Sequence, residues 1–144
     1  MPKILVVHGA GMNMCGKAQI DVFGPMTLDD YNHKIHEYAK NLDVSVEIFH
    51  SNIEGEIINA FYQAHDGDVD AAIINPAGFT VGAPALAGAI GQVRFPTIEL
   101  HISNPAIRGA VSEIARACHG TMTGFSIFGY YLALQAARQL VTES

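Results

Sequence analysis

The stretch KILVVHGAGMNMCGK, residues 3–17, decides how the rest of the chain is read. Its first part, KILVV at 3–7, is an apolar run that ends in a glycine-bearing loop, the pattern of a strand buried on both faces. A helix follows that loop. Thr27 precedes Leu28, Tyr31, Ile35, Tyr38 and Leu42, which recur at helical spacing, and Asp30 stands three residues after Thr27 as a capping box requires. Alternation in VSVEIF then predicts a second strand, and Ile53, Ile57 and Phe61 predict a second helix behind a Ser or Asn cap.

The unit repeats along the chain. VDAAIIN leads into PALAGAIGQ, FPTIELH into NPAIRGAVSEIARA, and a weaker HGTMTGFSI into GYYLALQAARQL. About five alternations of strand and helix predict an α/β fold, a five-stranded parallel sheet with helices on both faces and right-handed crossovers. No repeat, linker or low-complexity stretch divides residues 1–144, so one domain is expected.

Composition narrows the function. The chain has 144 residues, eight Lys and Arg against fourteen Asp and Glu, and a formal charge of −6, which leaves no basic stripe for nucleic acid or for an anionic membrane. Two cysteines are too few for a disulfide framework. No apolar run approaches the ~18 residues a membrane span needs, and the N-terminus lacks the features of a signal peptide. A soluble, cytoplasmic protein is expected. Charged residues make up 15% of the chain against a usual ~25%, consistent with surface covered by other subunits.

Ligands of open parallel sheets bind beyond the carboxyl ends of the strands, so HGAGMNMCGK, FHSNIEG, NPAGFTVG and ELHISN are the segments where function should lie. The combination of ILVVHGAGMNMCG, SNIEGEIINAF, INPAGFT, PTIELHISNP and GYYLALQAA, in this order and over essentially the whole chain, resembles the type II 3-dehydroquinate dehydratases. That resemblance implies a three-layer flavodoxin-like fold and a carbon–oxygen lyase acting on a small cyclic carboxylic acid, without a cofactor. It also implies trimers that associate into dodecamers, and the apolar AGFTVGAPALAGAIG stretch is compatible with subunit contact.

Carried over residue by residue, the resemblance divides the site. His101 falls on the family's general acid and Glu99 on the glutamate that orients it; alternate strand residues share a face, so Glu99 can fix the His101 tautomer. Asn75 and the backbone amides of Ile102 and Ser103 fall on the substrate-carboxylate cradle, and Asn13 on a position that lines the site. The opposite half is altered. Phe23 stands where the family's tyrosine base belongs, Ala18 where its activating arginine belongs, Gly11 on an asparagine, Val81 on a histidine and Ser112 on a second arginine. General-base catalysis contributes roughly 10²–10⁴ in rate, so ordinary dehydroquinase chemistry through this loop should be severely impaired.

Replacements come from several places. His8, at the end of the first strand, is a candidate base facing His101, which would restore two titratable groups on one site, or else a structural histidine bonded to a loop carbonyl. Cys15 is a candidate nucleophile or a small buried hydrophobe, and Lys17 a ligand for an acidic group or a solvated lysine. Arg108 or Arg116 is positioned to reach inward in place of the arginine absent at 112. The 16–24 loop keeps Gly16 and Gly24 and is expected to cover the site as a lid. No metal is expected: His33 and His36 are three apart on a helix, with no further ligand in view. HGAGMNMCG lacks the spacing of a nucleotide-binding loop. Three readings stay open: a diverged lyase, isomerase or hydrolase; a true dehydroquinase with another base; and a non-catalytic carboxylate-binding protein.

Overall fold

The computed structural model describes residues 1–142. Strands β1 (Lys3–Ala10), β2 (Ser45–His50), β3 (Ala71–Ala77), β4 (Thr97–His101) and β5 (Gly120–Thr123) form one sheet in the order β2-β1-β3-β4-β5, with every neighbouring pair parallel. This is the flavodoxin-like order. The chain reverses direction across the sheet between β1 and β3, the switch point at which such sheets bind ligands.

Helices cover both faces, as the sequence pattern predicts. A single turn, α1 (Ile20–Phe23), lies in the first loop and is followed by α2 (Leu28–Asn41), α3 (Glu54–Asp66), α4 (Pro84–Gln92) and α5 (Phe128–Thr142). Ile4, Val6, Ile73 and Leu100 pack with Tyr31 and Ile35 of α2 and Leu134 of α5. Leu5, Val7, Ala72 and Ile74 pack on the other face with Ile57 and Phe61 of α3 and Leu86 of α4. Because both faces of the inner strands are covered, those strands read as unbroken apolar runs rather than alternating ones.

Local signals behave as their chemistry dictates at most ends. Thr27 Oγ1 accepts from the Asp30 amide at 3.2 Å and Asp30 Oδ2 accepts from the Thr27 amide at 3.0 Å, which closes the capping box. The expected Ser or Asn cap of α3 needs correction: the N-cap is Ile53, which has no capping side chain, and Ser51 Oγ instead accepts from the Ile53 amide at 2.9 Å. Ser51 thus fixes the turn before the helix.

A larger correction concerns residues 105–117, where the pattern predicts a helix. Two short 3-10 turns form instead, Pro105–Arg108 and Ala115–Ala117. Gly109 ends the first in the left-handed region at φ 74°. Long-range hydrogen bonds then hold the chain off a helical path: Glu113 N donates to Thr80 O at 2.9 Å, Gly82 N donates to Glu113 Oε1 at 2.7 Å, and the Ser112 hydroxyl donates to Glu99 Oε2. Ile114, fully buried, fills the α3/α4 face where the helix would have packed.

No helix among the described residues is long and apolar enough to cross a membrane.

Candidate active site

A cavity of about 480 Å³ opens at the carboxyl ends of β1, β3 and β4. Gly9 permits the close approach of β1 and β3 beneath it: a Cβ there would lie 2.1 Å from the Pro76 carbonyl oxygen. The strand ends contribute Ala10, Asn75, Ala77 and His101, and the segment after β4 contributes Ile102, Ser103 and Arg108. Two non-glycine residues of the wall, Gln19 and Ala77, have left-handed backbones at φ 51° and 47°. Such conformations persist where the surroundings hold them, and functional sites are where they concentrate. At Ala77 the hold is visible, since its amide donates to Asn75 Oδ1 at 3.0 Å.

Glu99 and His101 are brought together. His101 Nε2–H donates to Glu99 Oε2 at 2.7 Å, and the carboxylate is 1% exposed. The same oxygen accepts from the Ser112 hydroxyl, while Ser112 Oγ accepts from the amides of Ile114 and Ala115 at 3.1 and 3.2 Å. Glu99 is therefore clamped between the histidine and a serine that is itself fixed by the turn after it. With Nε2 committed to the carboxylate, Nδ1 is the His101 nitrogen left to meet a ligand in the cavity.

His8 is not brought to this site. It follows Ile4 and Val6 on the face of β1 that packs beneath α2 and α5, whereas Glu99 and His101 alternate with Ile98 and Leu100 and face the opposite way. His8 is fully buried. Its Nε2–H donates to Asn32 Oδ1 at 2.8 Å, which leaves Nδ1 to accept from the Tyr130 hydroxyl at 3.3 Å. Burial, above all, pushes its pKa down to about 4, with a smaller contribution of the same sign from nearby His50, against the raising effect of Asn32. The expected base facing His101 is thus a neutral core histidine on the far face of the sheet, and its partners are side chains rather than a loop carbonyl.

Asn13 and Lys17 also stand apart. Both are exposed and neither lines the cavity. Asn13 lies in the 3-10 turn Met12–Met14, and the neighbours Met12 and Met14 present their side chains to the cavity instead. Cys15 lines the wall, and burial raises its thiol pKa, which disfavours the thiolate a nucleophile needs. Arg108 rather than Arg116 reaches the cavity, with Nη2 donating to Ser103 Oγ at 3.1 Å.

The first loop is folded over the site. Its helical turn, α1, carries Phe23 and ends where Gly24 N donates to Ile20 O at 2.8 Å. Tyr31 of α2 braces it by donating its hydroxyl to the Phe23 carbonyl at 3.3 Å. Gly16, at φ 75°, lies against Pro25 and Met26 so closely that a Cβ would come within 2.7 Å of the Pro25 carbonyl oxygen. The Phe23 ring lines the cavity and covers the Arg108 guanidinium, its centroid 5.5 Å from Cζ.

Among the described residues no group of three or more His, Cys, Asp or Glu is placed to hold a metal ion. His33 reaches Glu37 along α2 at 3.6 Å. The sequence carries no signal for Ser112 as a partner of Glu99, for Tyr130 and Asn32 as partners of His8, or for Thr80 as a wall residue. Gln19, which with Cys15 and Lys17 populates the loop expected over the site, does line the wall.

A doubly wound α/β protein with a small-molecule cavity at its switch point is what fold and site define. Residues 2–138 match the family model described as dehydroquinase class II. The 3-dehydroquinate dehydratase of Caldanaerobacter subterraneus subsp. tengcongensis is 43% identical over 143 residues, 97% of this chain and 96% of that one. The crystal structure of the type II dehydroquinase from Butyrivibrio crossotus superposes with a TM-score of 0.90 at 30% identity, covering 95% of this chain and 97% of that chain. The type II dehydroquinase from Propionibacterium acnes gives a TM-score of 0.90 at 32% identity, covering 99% and 97%. The chain belongs to the class II dehydroquinase family.

Proposed function

We propose that residues 1–144 form a single dehydroquinase-like domain that acts as a carbon–oxygen lyase, or a related proton-transfer enzyme, on a small cyclic hydroxy or keto carboxylic acid. One observation carries the reading: His101 is pinned by buried Glu99 at 2.7 Å and lines the same cavity as Asn75, Ser103 and Arg108. The carboxylate of the substrate sits against the amides of Ile102 and Ser103, the Asn75 side chain and the Arg108 cation.

No tyrosine, carboxylate or second histidine lines the cavity among the described residues. His101 therefore handles the proton in both directions. Neutral Nδ1 removes a proton from the carbon next to a carbonyl, and the C–H pair becomes the new double bond. The imidazolium, held by Glu99, then returns that proton to the departing hydroxyl, the C–O bond breaks, and water leaves. One group acting as base and then acid requires both bonds on one face of the ring. No cofactor takes part.

Incubating the protein with a panel of cyclic hydroxy and keto acids, and following loss of water by proton NMR, tests the reading. Release of an unsaturated acid is expected, and no turnover of any member at high enzyme concentration contradicts it.

A second reading is supported by the names and 38–43% identities of the relatives: a genuine 3-dehydroquinate dehydratase that uses a different base. Ultraviolet absorbance of the enone product decides it, and a flat trace with 3-dehydroquinate removes it.

The protein is further proposed to be a cytoplasmic homo-oligomer, built from trimers into a dodecamer, with no nucleic-acid or membrane partner. Ile107 and Val111, at 82% and 77% exposure, are the apolar surface that such contacts would cover. A monomer by light scattering contradicts it.

A further inference from the structure

The wall of the cavity is sharply divided by chemistry. Arg108 is the one permanently charged residue among the described residues that line it, and no carboxylate lines it at all. It accepts one anionic group, on the side of Ser103 and Asn75. Most of the remainder is apolar, from Met12, Met14, Ala18, Phe23, Val81 and Ala110, with Cys15, Gln19 and Thr80 among them. Met14 and Val81, 47% and 60% exposed, are among the apolar residues that line the cavity.

The polar atoms in the wall are mostly engaged already. The Thr80 hydroxyl donates to the Ala77 carbonyl at 2.6 Å, and Asn75 Oδ1 accepts from the Ala77 amide at 3.0 Å. Gln19 and His101 Nδ1 are what remain to meet a ligand away from the carboxylate end. A ring bearing several hydroxyls would turn most of them towards thioether, phenyl and methyl surface. Each hydroxyl buried without a partner weakens binding by roughly ten- to a hundredfold.

We infer that the acid this site takes carries a single carboxylate on a largely apolar ring, with no more than one or two oxygen substituents beyond it. The inference rests on the proposed carboxylate site and specifies its substrate class. The carboxylate lies between Arg108 and the segment after β4, and the ring lies under Phe23 against Met12, Met14 and Val81. The lone oxygen substituents meet His101 and Gln19.

Isothermal titration calorimetry of the full chain with three probes tests this. The probes are cyclohexene carboxylate, shikimate, which is the same ring acid with three hydroxyls, and cyclohexene carboxamide, which lacks the charge. Cyclohexene carboxylate is expected to bind at least tenfold more tightly than either of the others, and Val81→Asn is expected to narrow its advantage over shikimate. Shikimate binding as well or better overturns the inference and leaves the carboxylate site standing. The carboxamide binding as well as the carboxylate overturns the single-anion assignment. Failure of both acids to bind removes the inference together with the carboxylate site on which it rests.

Discussion

Phe23 covers Arg108, its ring centroid 5.5 Å from the guanidinium carbon, at the position where the family resemblance places a tyrosine base. The residue that cannot take a proton still closes the site. A cation over an aromatic face contributes ~0.5–1 kcal/mol when exposed and more once water is excluded. Phe23→Ala is expected to weaken carboxylate binding by about three- to tenfold, read by calorimetry. Unchanged affinity would mean the lid does not cover the bound ligand.

Ser112 determines how Glu99 holds His101, because both donate to the same carboxylate oxygen. Ser112→Ala removes one donor from a carboxylate that is 1% exposed, and a buried acceptor left short of a partner costs about 1–3 kcal/mol. Turnover is expected to fall by about five- to a hundredfold in this variant with KM little changed, and Ser112→Thr is expected to restore it. Wild-type turnover in all three proteins would show that Ser112 only supports the turn.

His8 predicts a pH dependence of stability. Its folded-state pKa of about 4 lies below the ordinary 6.5, so between these values the unfolded chain binds the extra proton and the fold does not. Stability is full above about pH 6.5 and falls as the pH drops towards 4, by on the order of 3 kcal/mol over the window. Urea unfolding at pH 7 and pH 4.5, for wild type and for His8→Gln, measures the difference that belongs to this residue. Equal losses in the two proteins would mean that His8 is already charged in the fold.

Gly9 is required by backbone contact. A methyl group there would lie 2.1 Å from the Pro76 carbonyl oxygen, which is itself part of the β3 end that carries Asn75. Gly9→Ala is expected to cost several kcal/mol, with a lowered urea midpoint at pH 7, because main chain must move on both strands (about 1–3 kcal/mol is usual even where only side chains shift). Wild-type stability would show that β1 and β3 part without cost.

Much of this fold is legible in the sequence because burial on both faces writes itself as apolar runs. KILVV and AAIIN fit inner strands, and Thr27 with Asp30 announced α2. Residues 105–117 were misread for a physical reason. Their local pattern is helical, but Glu113, Ser112 and Ile114 each find a partner far away in the chain, and those contacts win over propensity. Glu99 and His101 were legible as a pair because strand residues two apart share a face. The position of His8 at the end of β1 was legible too, and alternation groups it with Ile4 and Val6, but the packing of α2 and α5 on that side, away from His101, is set by tertiary structure. Loop positions such as Asn13 and Lys17 carry no periodicity, so which side chain turns inward depends on the 3-10 turn at 12–14 and on the left-handed Gln19.

The claim that His101, held by Glu99, moves the proton is tested most directly by comparing wild type with His101→Ala on an acid that the wild-type protein dehydrates. Turnover is expected to fall by roughly 10²–10⁴ with little change in carboxylate affinity, since the cradle of Asn75, Ser103 and Arg108 is left in place. Turnover that survives the substitution at a comparable rate would contradict it.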